Sequence, residues 1–494
     1  MKLAFVTLCG VFILSLNLHA DTNSPAPMKL SLERAVLMGL QNNRGLQVQQ
    51  FNPVIAGAFE QLERGVYDPE FFAAFSDSEE NVVETSAATA SQFQNEGSET
   101  EGAVGIRQRL PTGTEVEASV SSERTISTRS PEQQTARVGL TVTQQLLRGF
   151  GPAVNLASIR QAELETEASR YELRGYTEAV IADIEITYWR YVAAREAIRV
   201  VESSLEVANS QLKEVESRIE VGDLPENEAA AARAEVALSK QNLIDAQSAM
   251  AEQRYILLRL VQPDLRVRQM QSLEAVSPPD VDVSTNPDAE DSILLAQQSR
   301  PEIKEAELRL RSGELETVVT RNGRLPRLEL FINLGKTGYA DTFDESFKNL
   351  DGPGYDVTVG LEFSQALGNR QARARDMIAR TELEQGKEAL ANLRDLVRFD
   401  VLLALNELER ARLQVSASTE TRGYREQTLQ AEQDRFEVGT ATALDVALTQ
   451  RDLVRSRIAE IEARVAFLIA RIRLYQAEGT LIERRGLSVD PIDR

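Results

Sequence analysis

Two acidic residues stand just beyond a phrase that the chain uses twice. Arg218-Ile219-Glu220-Val221-Gly222 and Arg435-Phe436-Glu437-Val438-Gly439 share the pattern R-x-E-V-G, with Glu228 following the first copy and Asp445 the second. Carboxylates so placed can complement the start of a helix or present negative charge to passing cations. Groups for most other chemistry are missing. The only cysteine and the only histidine are Cys9 and His19. Beyond them no disulfide, catalytic triad, or thiolate or imidazole metal site can be built. Carboxylate-only catalysis is conceivable, yet no carboxylate pair is singled out. The expectation is a protein that is not an enzyme and takes no cofactor and no metal.

Residues 1–20 have the form of a secretory signal, with Lys2 at the start, an apolar run from Leu3 to Leu18, and Leu18-His19-Ala20 as a cleavage site. The formal charge of the chain is −21, and it grows by one unit if Lys2 is removed with the signal. Such a balance repels nucleic acid, so no nucleic-acid partner is expected. Past the signal, the longest apolar run is Val465 to Ala470, far short of the roughly 20 residues of a membrane helix. A membrane form of this chain must therefore be a closed β-barrel.

The elements that position the two acids repeat as well. Gly151 and Gly368, Asp183 and Asp400, and Gly222 and Gly439 are each 217 residues apart. No proline lies between Pro152 and Pro225, or between Pro353 and Pro491. The stretch leading to Gly222 would extend about 104 Å as a helix. Along it Ile184, Tyr191, Ile198, Leu205, Leu212 and Ile219 recur in sevens, with Ala194, Val201, Ala208 and Val215 as a second row, which predicts a coiled coil. Val236, Leu243, Met250 and Leu257 continue it after the turn. Val401, Leu408, Val415, Leu429 and Phe436 run in sevens in the second copy, and Leu444, Val454, Ile458, Ile461, Val465, Leu468, Ile472 and Tyr475 form the seam after the second turn. Each copy is thus predicted to be a helical hairpin with R-x-E-V-G at its tip.

Ahead of each hairpin the periodicity changes from helical to two. Phe71, Ala73 and Phe75; Val104 and Ile106; Val116, Ala118 and Val120; and Val138, Leu140 and Val142 alternate with their neighbours in the first half. Leu328, Leu330, Ile332 and Leu334, then Tyr355, Val357, Val359, Leu361 and Phe363, do so in the second. Asn81 to Gly102 and Ser121 to Thr135 read as long polar loops, Pro111-Thr112-Gly113 as a tight turn. Long loops alternating with short turns suit an outer-membrane barrel, though a soluble β-sandwich alternates in the same way. So few strands cannot close a barrel without edges. Four long helices with apolar seams cannot enclose much alone. Several copies must close one barrel and one helical tube.

With these elements in order, the chain from about Leu30 to Leu487 resembles the TolC-like outer-membrane factor family. The resemblance is carried by Arg218 to Glu228 and Arg435 to Val446, by Arg300-Pro301-Glu302-Ile303, by Asn322-Gly323-Arg324-Leu325-Pro326, and by Leu367-Gly368-Asn369-Arg370. It implies an α+β membrane protein: a homotrimer whose transmembrane β-barrel is continuous with a long periplasmic α-helical coiled-coil barrel, built from two internal structural repeats. It further implies the outer-membrane exit duct of a tripartite efflux pump or type I secretion system. Its partners would be outer-membrane lipid, a periplasmic adaptor and an inner-membrane pump or ABC transporter. On this resemblance Asp445 occupies the first of two acidic entrance positions, and Leu448 stands at the second. Glu228 matches an acidic position after the first tip. Phe436 and Ala441 stand where other members carry a tyrosine and an arginine that lock the closed entrance. The adaptor would dock on the tips, at Gly222, Asp223, Leu224, Pro225, Gly439 and Thr440.

The expected division is a signal at 1–20, a first repeat at 21–262 with strands over about 67–147 and a hairpin over about 152–262, a linker at 263–291, a second repeat at 292–479 with strands over about 327–364 and a hairpin over about 369–478, and a tail at 480–494. Four strands in the first half exceed the two that the family plan supplies. One pair is expected to stand as an extra hairpin outside a twelve-stranded wall; the alternative is a larger barrel. The rival from another class is a periplasmic coiled-coil adaptor, which should carry one hairpin where this chain carries two.

Overall fold

A computed structural model describes residues 28–85, 90–128, 130–264, 273–279 and 287–487. The signal at 1–20 and the end of the tail lie outside the described residues. In order, the elements are β1 (Met28–Leu30), α1 (Leu32–Asn42), α2 (Arg44–Gln49), α3 (Phe51–Arg64), β2 (Glu70–Thr85), β3 (Gln92–Leu110), β4 (Thr114–Ser127), β5 (Ser130–Gln145), α4 (Pro152–Asn155), α5 (Ala157–Glu220), α6 (Glu228–Val261), β6 (Leu273–Ala275), α7 (Ala289–Ser299), α8 (Pro301–Gly323), β7 (Arg327–Ala340), α9 (Phe343–Lys348), β8 (Tyr355–Ser364), α10 (Arg370–Glu437), α11 (Ala443–Glu478) and α12 (Leu481–Arg484). Among the described residues, no helix is long and apolar enough to cross a membrane.

The chain divides into two units. The described residues of the first fall within Met1–Asn43, Ile184–Asp280 and Ser418–Val465, and those of the second within Arg44–Asp183, Val281–Ala417 and Ala466–Arg494.

The second unit holds a six-stranded antiparallel sheet in the order β2-β3-β4-β5-β7-β8. Its two faces differ in chemistry. On one, Phe71, Ile106, Ala118, Leu140, Leu334 and Val357 lie side by side across all six strands. The next rung is Ala73, Val104, Val120, Val138, Lys336 and Tyr355. Most of these apolar side chains are exposed. The opposite face carries the rung Glu70, Arg107, Glu117, Thr141, Asn333 and Thr358, with Arg107 paired to Glu70 at 2.9 Å. Alternation along each strand sorts the residues this way, and antiparallel register holds the sorting in line between strands.

The four strands of the first half share one sheet with β7 and β8, and β2 pairs with β3 from Glu70–Arg107 to Thr85–Gln92. Two expectations change here. The polar stretches expected as loops at 81–102 and 121–135 are largely strand. Their pairing continues through polar ladders such as Thr100 to Asp77 (2.6 Å) and Asn95 to Glu84 (3.2 Å). Regular alternation does not mark them, because there both faces are largely polar. Within the stretch read as a linker, β6 pairs in parallel with β1. Tyr188 and Tyr191 of α5 secure that small sheet by donating to the carbonyls of Leu30 (3.1 Å) and Leu273 (2.5 Å).

The strands meet the helices of the second unit at polar junctions. Asn155 donates to the carbonyls of Gly149 (2.8 Å), Pro111 (3.1 Å) and Gly151 (3.1 Å), binding the β3–β4 turn to the end of β5. Asn322 accepts from the Gly149 amide at 2.8 Å, and Arg324 pairs with Asp376 at 2.8 Å. Pro301 opens α8, and Ile303 joins a core with Val397, Val401, Leu408, Phe467 and Leu474.

Glu178 of α5 is nearly buried in this unit, 3.8 Å from Arg174. Burial, opposed by Arg174, pushes its carboxyl up to about 7. A raised carboxylate holds a proton in the folded state that the unfolded chain has lost, so stability falls as pH climbs from the ordinary carboxylate range to about 7. Glu178→Gln should flatten that slope and raise stability at pH 8 by on the order of 2 kcal/mol. Denaturation at pH 5 and pH 8 checks it; an unchanged difference between the two pH values would refute the buried proton.

Candidate functional site

The two R-x-E-V-G turns close by one hydrogen-bond pattern. In the first, the Arg218 carbonyl accepts from the amides of Asp223 (2.8 Å) and Leu224 (3.3 Å), and Ile219 accepts from Gly222 (3.0 Å). In the second, Arg435 accepts from Thr440 (2.8 Å) and Ala441 (3.2 Å), and Phe436 from Gly439 (3.1 Å). Both are Schellman closures of a helix C-terminus. Gly222 and Gly439 each have φ of +79°, the left-handed region, and a Cβ on either would meet open space. Glycine is therefore required by backbone conformation alone, not by crowding. Gly222, Asp223, Pro225, Gly439 and Thr440 are exposed and Leu224 is half-buried. Val221 and Val438, at matching places, are 73% and 74% exposed, so each tip offers an uncovered apolar side chain.

Asp445 lies in the first turn of α11. Its Oδ2 accepts from the Thr442 amide (2.9 Å) and hydroxyl (2.7 Å), while the Thr442 hydroxyl accepts from the Asp445 amide (3.2 Å). This reciprocal cap, led by the Thr442 amide, holds the carboxyl below the usual carboxylate range. Asp445 is exposed, so the ionised group is both a cap and a charge open to water. Glu228 is the first residue of α6 and half-buried. Among the described residues, no hydrogen bond or ion pair joins Glu228 to Asp445. Leu448 is 47% exposed.

The structure supplies contacts that periodicity concealed. The Arg218 guanidinium lies 5.0 Å over the Phe436 ring and so links the two turns. Phe436 stands where the family resemblance implies a polar lock; here a cation–π contact uses that position, worth about 0.5–2 kcal/mol. Glu235 of α6 is 5% exposed and accepts from Arg451 of α11 at 2.7 Å. Glu460, also buried, gathers Arg422 (2.5 Å), Arg464 (2.6 Å) and the Thr419 hydroxyl (3.0 Å). Leu444, expected in the seam of α11, is 49% exposed, whereas Val446 and Leu453 are buried against Leu429.

The comparisons agree with one another. The model of the outer membrane efflux protein family matches residues 106–261 and 293–480. The pyoverdine export outer membrane protein OpmQ of Pseudomonas putida is 27% identical over 332 residues, 66% of this chain and 67% of its own length. The outer membrane efflux protein BepC of Brucella suis is 24% identical over 361 residues, 72% of this chain and 75% of its own. Among solved structures, the Campylobacter jejuni CmeC outer membrane channel has a TM-score of 0.67 at 16% identity, covering 93% of this chain and 90% of that one. The open state of the Neisseria gonorrhoeae MtrE outer membrane channel has a TM-score of 0.66 at 17% identity, covering 91% and 89%. At such identities these structures establish a shared fold.

Proposed function

The chain belongs to the outer membrane efflux protein family and is the outer-membrane channel of an efflux system, and we propose that it works as a passive homotrimeric duct. In this reading the sheets of three copies face lipid with the Phe71–Val357 rung and water with the Glu70–Thr358 rung. That two-faced register, unbroken across the sheet, is the observation that carries the proposal. A soluble sandwich would cover its apolar face with a second sheet, and here most of that face is exposed. The hairpins of the three copies enclose a periplasmic tunnel. Asp445 and Glu228 line its entrance, and the tips at Gly222, Asp223, Leu224, Pro225, Gly439 and Thr440 receive a periplasmic adaptor. An inner-membrane pump or ABC transporter supplies the energy, and this chain needs no cofactor. The signal at 1–20 directs it to the envelope and is removed. The adaptor alternative is not favoured, since the curated relatives are outer-membrane export proteins.

Reconstitution in planar bilayers tests the channel and its entrance together. Purified protein should form cation-preferring channels blocked by added divalent or trivalent cations. Asp445→Asn keeps an oxygen for the Thr442 cap and removes the charge, so block should weaken several-fold with folding intact. Absence of any channel would overturn the duct. Channels with unchanged block would remove Asp445 from the entrance and leave the duct standing.

A further inference from the structure

We infer that all six strands belong to the barrel wall, so that the trimer closes an eighteen-stranded barrel. The inference rests on the homotrimeric duct proposed above and deepens it. Its starting point is the apolar rung. If β2 and β3 stood outside the wall, nothing would require their apolar residues to share a level and a face with those of β7 and β8. Yet Phe71 and Ile106 continue the rung of Ala118, Leu140, Leu334 and Val357 without a step. Ala73 and Val104 do the same one rung further. Phe71 and Phe75 are 70% and 77% exposed, an exposure that suits lipid and not water.

The edges give the second argument. The sheet ends on β2 and β8, and among the described residues neither pairs with a further strand on its outer side. A bilayer does not tolerate such an edge, because each unsatisfied peptide group costs several kcal/mol in hydrocarbon. Strand directions alternate across the sheet, and six is even, so β8 of one copy runs antiparallel to β2 of the next. The occupant of each edge is therefore a second copy of this chain. Six strands cannot close alone, but six from each of three copies give eighteen, an even count within the range of bacterial barrels.

The functional consequence is width. Barrel diameter grows roughly in proportion to strand number, so eighteen strands give an opening about 1.5 times as wide as twelve. Barrels of 16–18 strands leave an aqueous channel. The outer-membrane segment would then admit cargo too bulky for a twelve-stranded wall.

Disulfide trapping distinguishes the arrangements, and the chain is suited to it because Cys9 is its only cysteine. With Cys9→Ser as background, Val359→Cys on β8 is combined with Phe71→Cys, Ala73→Cys or Phe75→Cys on β2, the three positions allowing for the stagger of a closed barrel. A second set combines Val359→Cys with Ala118→Cys or Val120→Cys on β4, the edge that would close the wall if β2 and β3 lay outside. A third pair, Leu140→Cys with Leu334→Cys, reports β5 beside β7. The eighteen-stranded wall predicts covalent trimers from a β8–β2 pair and an intrachain bond from the third pair. Trimers from a β8–β4 pair, or no bond between β5 and β7, would overturn it while leaving the trimer intact. Loss of every interchain product together with a monomeric mass in mild detergent would instead overturn the trimer on which it rests.

Discussion

Two lysines inserted directly after Gly222 or after Gly439 abolish export while the protein still assembles in the outer membrane. The expectation follows from how the turns are closed. Each tip is fixed by two bonds to one carbonyl, Arg218 in the first and Arg435 in the second, and those bonds require the glycine at φ +79° and the amides that follow it in register. An insertion moves Asp223 and Leu224, or Thr440 and Ala441, out of reach. It also places charge beside Val221 or Val438, the exposed apolar residues that an adaptor would cover. Desolvating a lysine there without a partner opposes docking by several kcal/mol, enough for a loss of 10²-fold or more in affinity. A Cβ on either glycine would meet open space, so the tips have room for added residues and folding of the helices should survive. Accumulation of an exported dye in cells, measured beside the amount of trimer in the outer membrane, checks the result. Normal export with the insertion in place would show that the tips are not the docking surface.

The sequence made the plan of the chain readable and left its charged contacts hidden, for a physical reason visible on α11. The residues that face its partner helix recur in sevens as Val446, Leu453, Glu460, Phe467 and Leu474. A search for apolar sevens breaks at Glu460 and drifts to Leu444, which lies on the solvent side. Glu460 is tolerated inside because Arg422, Arg464 and Thr419 converge on it, residues from two helices that no local pattern associates. The strands show the same limit. Alternation announced β2 to β5 where one face is apolar, and failed over Asp77–Thr85 and Gln92–Gly102, where both are largely polar and the pairing persists. The tips were readable because left-handed glycine after a long helix has few alternatives. The stacking of Arg218 on Phe436 was not, since it depends on how the two hairpins meet.

The single substitution expected to cost the most stability lies at another buried carboxylate. Arg451→Met leaves the Glu235 carboxylate nearly buried without the guanidinium that accompanies it at 2.7 Å. An uncompensated buried charge destabilises by about 3–5 kcal/mol, more than a pair of this kind contributes over an apolar replacement. The loss falls on the contact between α6 and α11, one helix from each hairpin, so the first sign should be faster amide exchange in those two helices. Replacing both partners, Glu235→Leu with Arg451→Met, removes the charge along with its partner and fills similar volume. That double variant should recover most of the loss, whereas two independent costs would add. Urea denaturation of the two single variants and the double variant forms a complete cycle. If Arg451→Met unfolds within about 0.5 kcal/mol of the parent, water reaches Glu235 and the pair is an ordinary surface contact. If the double variant is as weak as the sum of its parts, the cost lies in lost packing of the arginine stem and not in the stranded charge.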